Sequence, residues 1–259
     1  MDLHLKDKVI LVSGGAKGIG AAICKTLAKE GAIPVILGRK MEDNKKLENE
    51  IVADGGKCSS LQAELSNPAE CEKVIAQAAS LYGRIDGIVN NAGANDGVGL
   101  ENGNYDAFMK SLHNNLVHYY LLAKYALPFL KESKGAIVNI GSKTGETGQG
   151  GTSAYAAANG GRNALTREWA VELLPYSIRV NSVIVAEAMT PLYQTWLNSF
   201  DNPEEKLADI TQKIPFENRM TKVEEIADTV AFLLSSRSGH TTGQLIHVDG
   251  GYVHLDRAL

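Results

Sequence analysis

Residues 8–30, KVILVSGGAKGIGAAICKTLAKE, carry three patterns one after another. Val9 to Val12 is a continuous apolar run, the mark of a strand buried on both faces. Ser13 to Gly20 is a glycine-rich turn, and a helix from Gly18 to Glu30 follows it. A strand buried on both faces needs helices above and below, so this unit predicts a parallel sheet inside an α/β fold. The alternation continues along the chain. Strands are expected at PVILG, KCSSLQAEL, IDGIVNNAG, GAIVNIGS, IRVNSVIVA and GQLIHVDGG. Helices are expected at Glu42 to Ala53, Pro68 to Tyr82, Ala107 to Lys131, Ser153 to Ala170 and over KVEEIADTVAFLLSS. Pro68 suits a first helical turn. Nothing reads as a linker or a repeat, so one domain over 1–259 is expected. The polar, proline-containing stretch 187–221 is too long for an ordinary connection and reads as a substrate lid.

The 259 residues are 44% apolar and 22% charged, ordinary for a globular chain that buries a core. A net charge of −4 without a basic cluster argues against a nucleic-acid partner. No apolar run suits a membrane span, and the N-terminus runs straight into a strand, so no signal peptide and a cytoplasmic location are expected. Cys24, Cys58 and Cys71 lack ligand spacing, and no metal site is expected. Cys24 and Cys71 fall in helical patterns and read as inert small apolar residues.

Gly14, Gly18 and Gly20 form a G-x-x-x-G-x-G turn between strand and helix. Such a turn lets the backbone approach a pyrophosphate, which the helix N-terminus then attracts. Alone it is a weak signal, but its position suits a Rossmann-type dinucleotide fold, a doubly wound sheet of seven parallel strands with helices on both faces. The second strand ends VILGRK, with Arg39 after Gly38 and no carboxylate before Met41. An NAD enzyme usually places an acid there for the ribose 2′-hydroxyl. Two cations, Arg39 and Lys17, suit a 2′-phosphate instead, so NADP is favoured and NAD is the alternative.

SGGAKGIG, NNAG (Asn90–Gly93), IVNIGS (Ile137–Ser142), SAYAAAN and RVNSVIVAEAMT follow one another at the spacing of the short-chain dehydrogenases/reductases, and the resemblance covers essentially the whole chain. Within that family, NDGVGL, HNNLVHYYLLA, GSKT, ALTREWA, AEAMTPLYQTW and VDGGYVHLDRAL most resemble the L-fucose dehydrogenases. The resemblance implies that Ser142 holds the reacting oxygen and that Tyr155, 13 residues on, is the general acid/base. It implies that Asn115 holds a water on the proton path. Ser13, Gly14, Lys17, Gly18, Ile19 and Gly20 would hold the cofactor, with Asn91, Ala92 and Gly93 lining it. Glu64, in place of the family's usual Asp, and Leu65 would stand beside the adenine, and Thr190 near the carboxamide. A homotetramer is also implied, with the C-terminal HLDRAL contributing to a neighbour's pocket.

The chain departs from the family pattern at Asn159, which stands where Y-x-x-x-K has lysine. A tyrosine, with a reference pKa of about 10, is a poor base at neutral pH. A cation at about 5 Å, with an effective dielectric of about 20, favours its phenolate by roughly 3 kcal/mol. Asn159 carries no charge, though its amide can donate to a ribose hydroxyl. Weakened cofactor binding is therefore expected, with a turnover about 10²-fold below that of Asn159→Lys near neutral pH. Three explanations stand: a substitution that traps a bound state, a nucleotide-binding relative with little turnover, or compensation by another cation, with Lys143 nearest in sequence. After the sixth strand, Val185 and Ala186 replace the usual Pro-Gly, and Glu187 follows. The expected reaction is oxidation of the anomeric hydroxyl of a free aldose, L-fucose-like, to a lactone. Lys143, Glu187, Tyr193 and Trp196 are the candidate substrate contacts. A 3-oxoacyl or other carbonyl reductase is the alternative.

Overall fold

Along β1 (Val9–Ser13), Ile10 and Val12 face one core while Val9 and Leu11 face the other. This alternation fits an interior strand of the sheet in the computed structural model, which describes residues 1–255. The remaining strands are β2 (Ile33–Gly38), β3 (Ser59–Gln62), β4 (Gly87–Asn90), β5 (Ala136–Ser142), β6 (Arg179–Val185) and β7 (Leu245–Val248). All pair in parallel, in the order β3-β2-β1-β4-β5-β6-β7. The fold is the expected doubly wound sheet of seven strands. Because the chain leaves β1 first to one side and later to the other, a crevice opens at the carboxyl ends of β1 and β4, where such sheets bind ligands.

The longer helices are α1 (Gly18–Lys29), α2 (Met41–Ala53), α3 (Pro68–Tyr82), α4 (Tyr105–Leu112), α5 (His118–Ser133) and α6 (Ser153–Glu172). Two short ones, α7 (Pro191–Leu197) and α8 (Pro203–Thr211), precede α9 (Val223–Leu234). Ile23 and Leu27 of α1, Leu47 and Ile51 of α2, and Val230 and Leu234 of α9 fill one core. Val74 and Ile75 of α3, Tyr119 and Leu122 of α5, and Trp169 of α6 fill the other. Each such side chain contributes about 1.5–3 kcal/mol by leaving water. No helix is long and apolar enough to cross a membrane among the described residues.

Two elements differ from the sequence expectation. The long helix is interrupted by a π-helical segment, His113–Val117, between α4 and α5. Such an insertion pulls carbonyls out of the regular ladder and is common at functional sites. The 187–221 stretch holds α7 and α8, each started by an Asx- or Thr-capped proline. Thr190 Oγ1 accepts from Tyr193 N (3.2 Å), and Asn202 Oδ1 accepts from Glu205 N (3.2 Å). The stems of the stretch are joined where Ala188 bridges Thr221 and Thr221 N donates to Glu187 O (2.9 Å).

Candidate active site

The glycine turn is built for close approach. Gly14 (φ +63°) and Gly18 (φ +55°) are left-handed. A Cβ on Gly14 would lie 3.0 Å from Ala92 Cα, and one on Gly20 would strike the Gly14 carbonyl. α1 begins at Lys17 without a capping side chain, so its first N–H groups are left for a ligand. Ser13 and Asn91 act behind this surface. Ser13 Oγ accepts from Asn91 N (2.9 Å) and Ala92 N (3.1 Å), while Asn91 Nδ2 donates to Ser13 O (3.0 Å) and Gly14 O (3.2 Å). Thr190 packs against Gly18 from the far side of the turn. Ile19 is partly buried against the core, and Leu65 is buried. A cradle that any side chain would fill, beside an uncapped helix start, fits a dinucleotide.

At the end of β2, a Cβ on Gly38 would strike Oδ1 of the buried Asn44, so any side chain there would have to displace Asn44. Arg39 and Lys17 are both exposed and already paired. Arg39 lies 3.8 Å from Glu64, and Lys17 lies 2.7 Å from Asp43. A 2′-phosphate would have to draw them from these partners, which solvent-screened pairs allow at small cost.

On the catalytic side, α6 is pinned to the sheet by a polar ladder. Asn90 Nδ2 donates to Asn139 Oδ1 (2.9 Å), Asn139 Nδ2 to Thr166 Oγ1 (2.9 Å), and Thr166 Oγ1 to Arg162 O (2.8 Å). Ser142, the last residue of β5, accepts from Thr144 N (3.3 Å) and Thr144 Oγ1 (3.1 Å), which leaves its own proton for a substrate oxygen. Tyr155 stands in the first turn of α6.

Asn159 is fully buried and turned inward. Its Nδ2 donates to Tyr155 O (2.9 Å), and its Oδ1 accepts from Arg162 Nη1 (3.0 Å). A cation that the sequence reading did not single out, Arg162, is buried on the same helix face seven residues after Tyr155. Arg162 Nε donates to Asn115 O (2.6 Å) and Nη1 also to Ile140 O (3.1 Å). The carbonyl of Asn115, the residue to which the resemblance assigns a water, thus takes the guanidinium directly. Asn115 Oδ1 accepts from Ala94 N (2.9 Å). The Arg162 Cζ lies 4.4 Å from the Tyr119 ring centroid and 5.9 Å from that of Tyr155. Burial pushes the Tyr119 hydroxyl up to about 12. Burial, aided by the Arg162 charge, pushes His118 down to about 4, so its ring is neutral between the Ala92 and His113 carbonyls. An arginine seven residues after the tyrosine, amid Ala158, Asn159 and Asn163, was the available signal, but exposed helical arginines are far commoner.

Lys143 does not reach this group as an unengaged cation. It forms a largely buried ion pair with Glu187, and its Nζ lies 3.9 Å above the Tyr252 ring. Glu187 also accepts from Tyr193 Oη (2.7 Å), and burial with that carboxylate pushes the Tyr193 hydroxyl well up. Lys143, Glu187 and Tyr193 are thus brought together beyond Ser142. Trp196 sits outside them, edge-on to Tyr193 (5.2 Å) and Phe200 (4.9 Å) and 45% exposed. A group the sequence did not suggest, Glu146, His247 and His254, brings its ligand atoms within 4.8 Å of one another, with His247 Nε2 3.0 Å from Glu146 Oε2. Most of the C-terminal HLDRAL lies outside the described residues. Cys24 and Cys71 are buried, and desolvation raises both thiols, Cys71 to about 11.

A sequence model of the family described as enoyl-(acyl carrier protein) reductase matches residues 14–253. An L-fucose dehydrogenase of Rattus norvegicus is 31% identical over 245 residues, 94% of this chain and 88% of its own. The 3-oxoacyl-(acyl-carrier-protein) reductase FabG of Thermotoga maritima is 32% identical over 252 residues, 97% of this chain and 100% of its own. Among solved structures, Cj0485 dehydrogenase superposes with a TM-score of 0.95 at 47% identity, covering 100% of this chain and 99% of its own. Levodione reductase superposes at 0.92 with 30% identity, covering 98% and 100%. The family typically uses NAD(P). With its glycine turn, its seven-stranded sheet and a Ser142–Tyr155 pair at the family's spacing, the chain is an oxidoreductase of the short-chain dehydrogenase/reductase family.

Proposed function

We propose that this chain oxidises the anomeric hydroxyl of a free aldose, L-fucose-like, to its lactone, with NADP favoured over NAD. The bound nicotinamide supplies the hydride acceptor. Tyr155 takes the proton of the C1 hydroxyl while Ser142 donates to the same oxygen, so that the C1–H bond breaks as C1=O forms. The backbone N–H groups at the start of α1, with Gly14, Gly18 and Gly20, hold the pyrophosphate. Asn91, Ala92, Gly93 and Thr190 line the nicotinamide end, and Glu64 and Leu65 the adenine end.

The observation that carries the sugar reading is the Lys143–Glu187–Tyr193 group beyond Ser142. A carboxylate fixed by two donors keeps acceptor capacity for hydroxyls, and buried polar groups that a substrate must satisfy give strong discrimination. Residues 187–221, with the Trp196 ring, act as the substrate lid of one catalytic domain, and the working assembly is a homotetramer. A panel of aldoses tested with NADP and NAD, beside a 3-oxoacyl thioester with NADPH, tests the reading. L-fucose or a close stereoisomer as the best substrate supports it; preference for the thioester overturns it.

A further inference from the structure

The buried side of α6 holds a cation that the family pattern does not provide. Arg162 is 3% exposed, and among the described residues it makes no ion pair. A buried charge without a counter-charge is costly and is kept only where something offsets it. Three of its hydrogen bonds, to the carbonyls of Asn115 and Ile140 and to Asn159 Oδ1, fix the guanidinium plane. None of these acceptors carries a charge. The remaining nitrogen, Nη2, is buried and has no hydrogen-bond partner. It faces Gly93, where a Cβ would lie 2.8 Å from Nη2 and 2.8 Å from Asn115 Oδ1. Gly93 leaves room for that nitrogen on the strand end expected to line the cofactor.

Resting on the family assignment, and on the roles read for Tyr155 and the cofactor, we propose that Arg162 is the active-site cation of this chain. It supplies, from two helical turns beyond Tyr155, the charge that Asn159 lacks, and offers Nη2 to the ribose of the bound nucleotide. Asn159 belongs to the same device. Spacings of four and three put Tyr155, Asn159 and Arg162 on one face, and the uncharged amide is the acceptor that aims the guanidinium. A lysine at 159 would set a second cation against the first. Toward the reacting atoms Arg162 acts through the phenolate of Tyr155, and toward the nucleotide through Nη2. The anion missing from its surroundings forms there when the tyrosine serves as base.

The other ionisable groups about the pair leave the role to Arg162. Tyr119 of α5 stacks on the guanidinium and is held protonated, and His118 of the same helix is held neutral. Lys143 from the turn after β5 is engaged by Glu187. A purely structural arginine, tying the π-helical segment to β5 and α6, would explain the three carbonyl contacts. It would leave both the orphaned Nη2 and the absent counter-charge unexplained.

The test uses Arg162→Met and Arg162→Lys, each with and without Tyr155→Phe, and needs no sugar. The tyrosinate absorbance that disappears with Tyr155→Phe is titrated, and the Kd of NADPH is measured by fluorescence. In Arg162→Met the Tyr155 signal should appear at a pH about 2 units higher than in the starting protein, and the NADPH Kd should rise about tenfold. Arg162→Lys should recover most of both. Where a substrate is found, kcat/KM of Arg162→Met should fall about 10²-fold at pH 7 and much less at pH 10. An unchanged Tyr155 titration in a folded Arg162→Met protein overturns the proposal. So does a loss that is equal at all pH values and not recovered by lysine. Failure of every aldose would sink the sugar reading and leave this titration standing.

Discussion

Asn159→Lys restores the family's usual residue, and by family pattern alone it should raise turnover. The geometry makes the opposite expectation. Asn159 Oδ1 is 3.0 Å from Arg162 Nη1, so a lysine here brings its ammonium near the guanidinium. At about 4 Å and an effective dielectric of about 20, two like charges repel by roughly 4 kcal/mol. Bending of the lysine stem lowers this to about 2–4 kcal/mol, to which the lost amide bonds to Arg162 and to Tyr155 O add about 1 kcal/mol. A loss of about 3–5 kcal/mol corresponds to a melting temperature lower by roughly 6–15 °C in a chain of this size. Activity near neutral pH should not rise more than about threefold. In the double variant Asn159→Lys/Arg162→Met the repulsion is gone, and both stability and kcat/KM should recover relative to either single change. The coupling in that cycle should be about 2–4 kcal/mol in favour of the double. The assay is calorimetric unfolding with steady-state kinetics on all four proteins. A gain of tenfold or more from Asn159→Lys alone, with an unchanged melting temperature, would refute the reasoning.

Three further outcomes follow from the same geometry. His118 is neutral when folded, with its pKa pushed down to about 4 against about 6.5 unfolded, so between those values the unfolded chain binds more protons and stability falls as pH falls. The loss should reach about 3 kcal/mol by pH 4, and urea unfolding of His118→Gln should show a correspondingly shallower acid limb; equal limbs would contradict it. Glu187→Gln should raise the KM for the sugar about tenfold, the value of one charge-assisted hydrogen bond, while the NADPH Kd stays constant; a shift in the NADPH Kd instead would move Glu187 out of the substrate site. Arg39→Asp should move the NADP-to-NAD preference toward NAD by about 10²-fold, measured as the ratio of kcat/KM values; an unmoved ratio would remove Arg39 from the cofactor site.

The sheet was legible because its inner strands are buried on both faces. Runs such as Val9–Val12 and Ile137–Ile140 have few polar interruptions, and the glycine turn fixes where the first helix starts. The Ser142–Tyr155 pair was legible from spacing. The π-helical segment at His113–Val117 was not, since HNNLV has ordinary helical periodicity. The signal lies in tertiary partners, with Asn115 O taking Arg162 and Asn115 Oδ1 taking Ala94 N. Arg162 itself was hidden for the same reason. Nothing near it in sequence says that Tyr119, from α5, stacks on it and keeps it from water. Helices α7 and α8 carried readable caps at Thr190-Pro191 and Asn202-Pro203, which their polar composition obscured. Lys143 was expected at the site from its place next to Ser142, and the structure shows its charge bound to Glu187 rather than offered to Tyr155.

The most direct test of the central claim follows the hydride. The protein is incubated at pH 7 with NADP and L-fucose carrying deuterium at C1, and the reduced nucleotide is analysed by mass. The account predicts deuterated NADPH from the wild-type chain and almost none from Tyr155→Phe, although that variant still binds NADPH. Reduced nucleotide without deuterium, or none with any aldose while a 3-oxoacyl thioester is reduced, would contradict it.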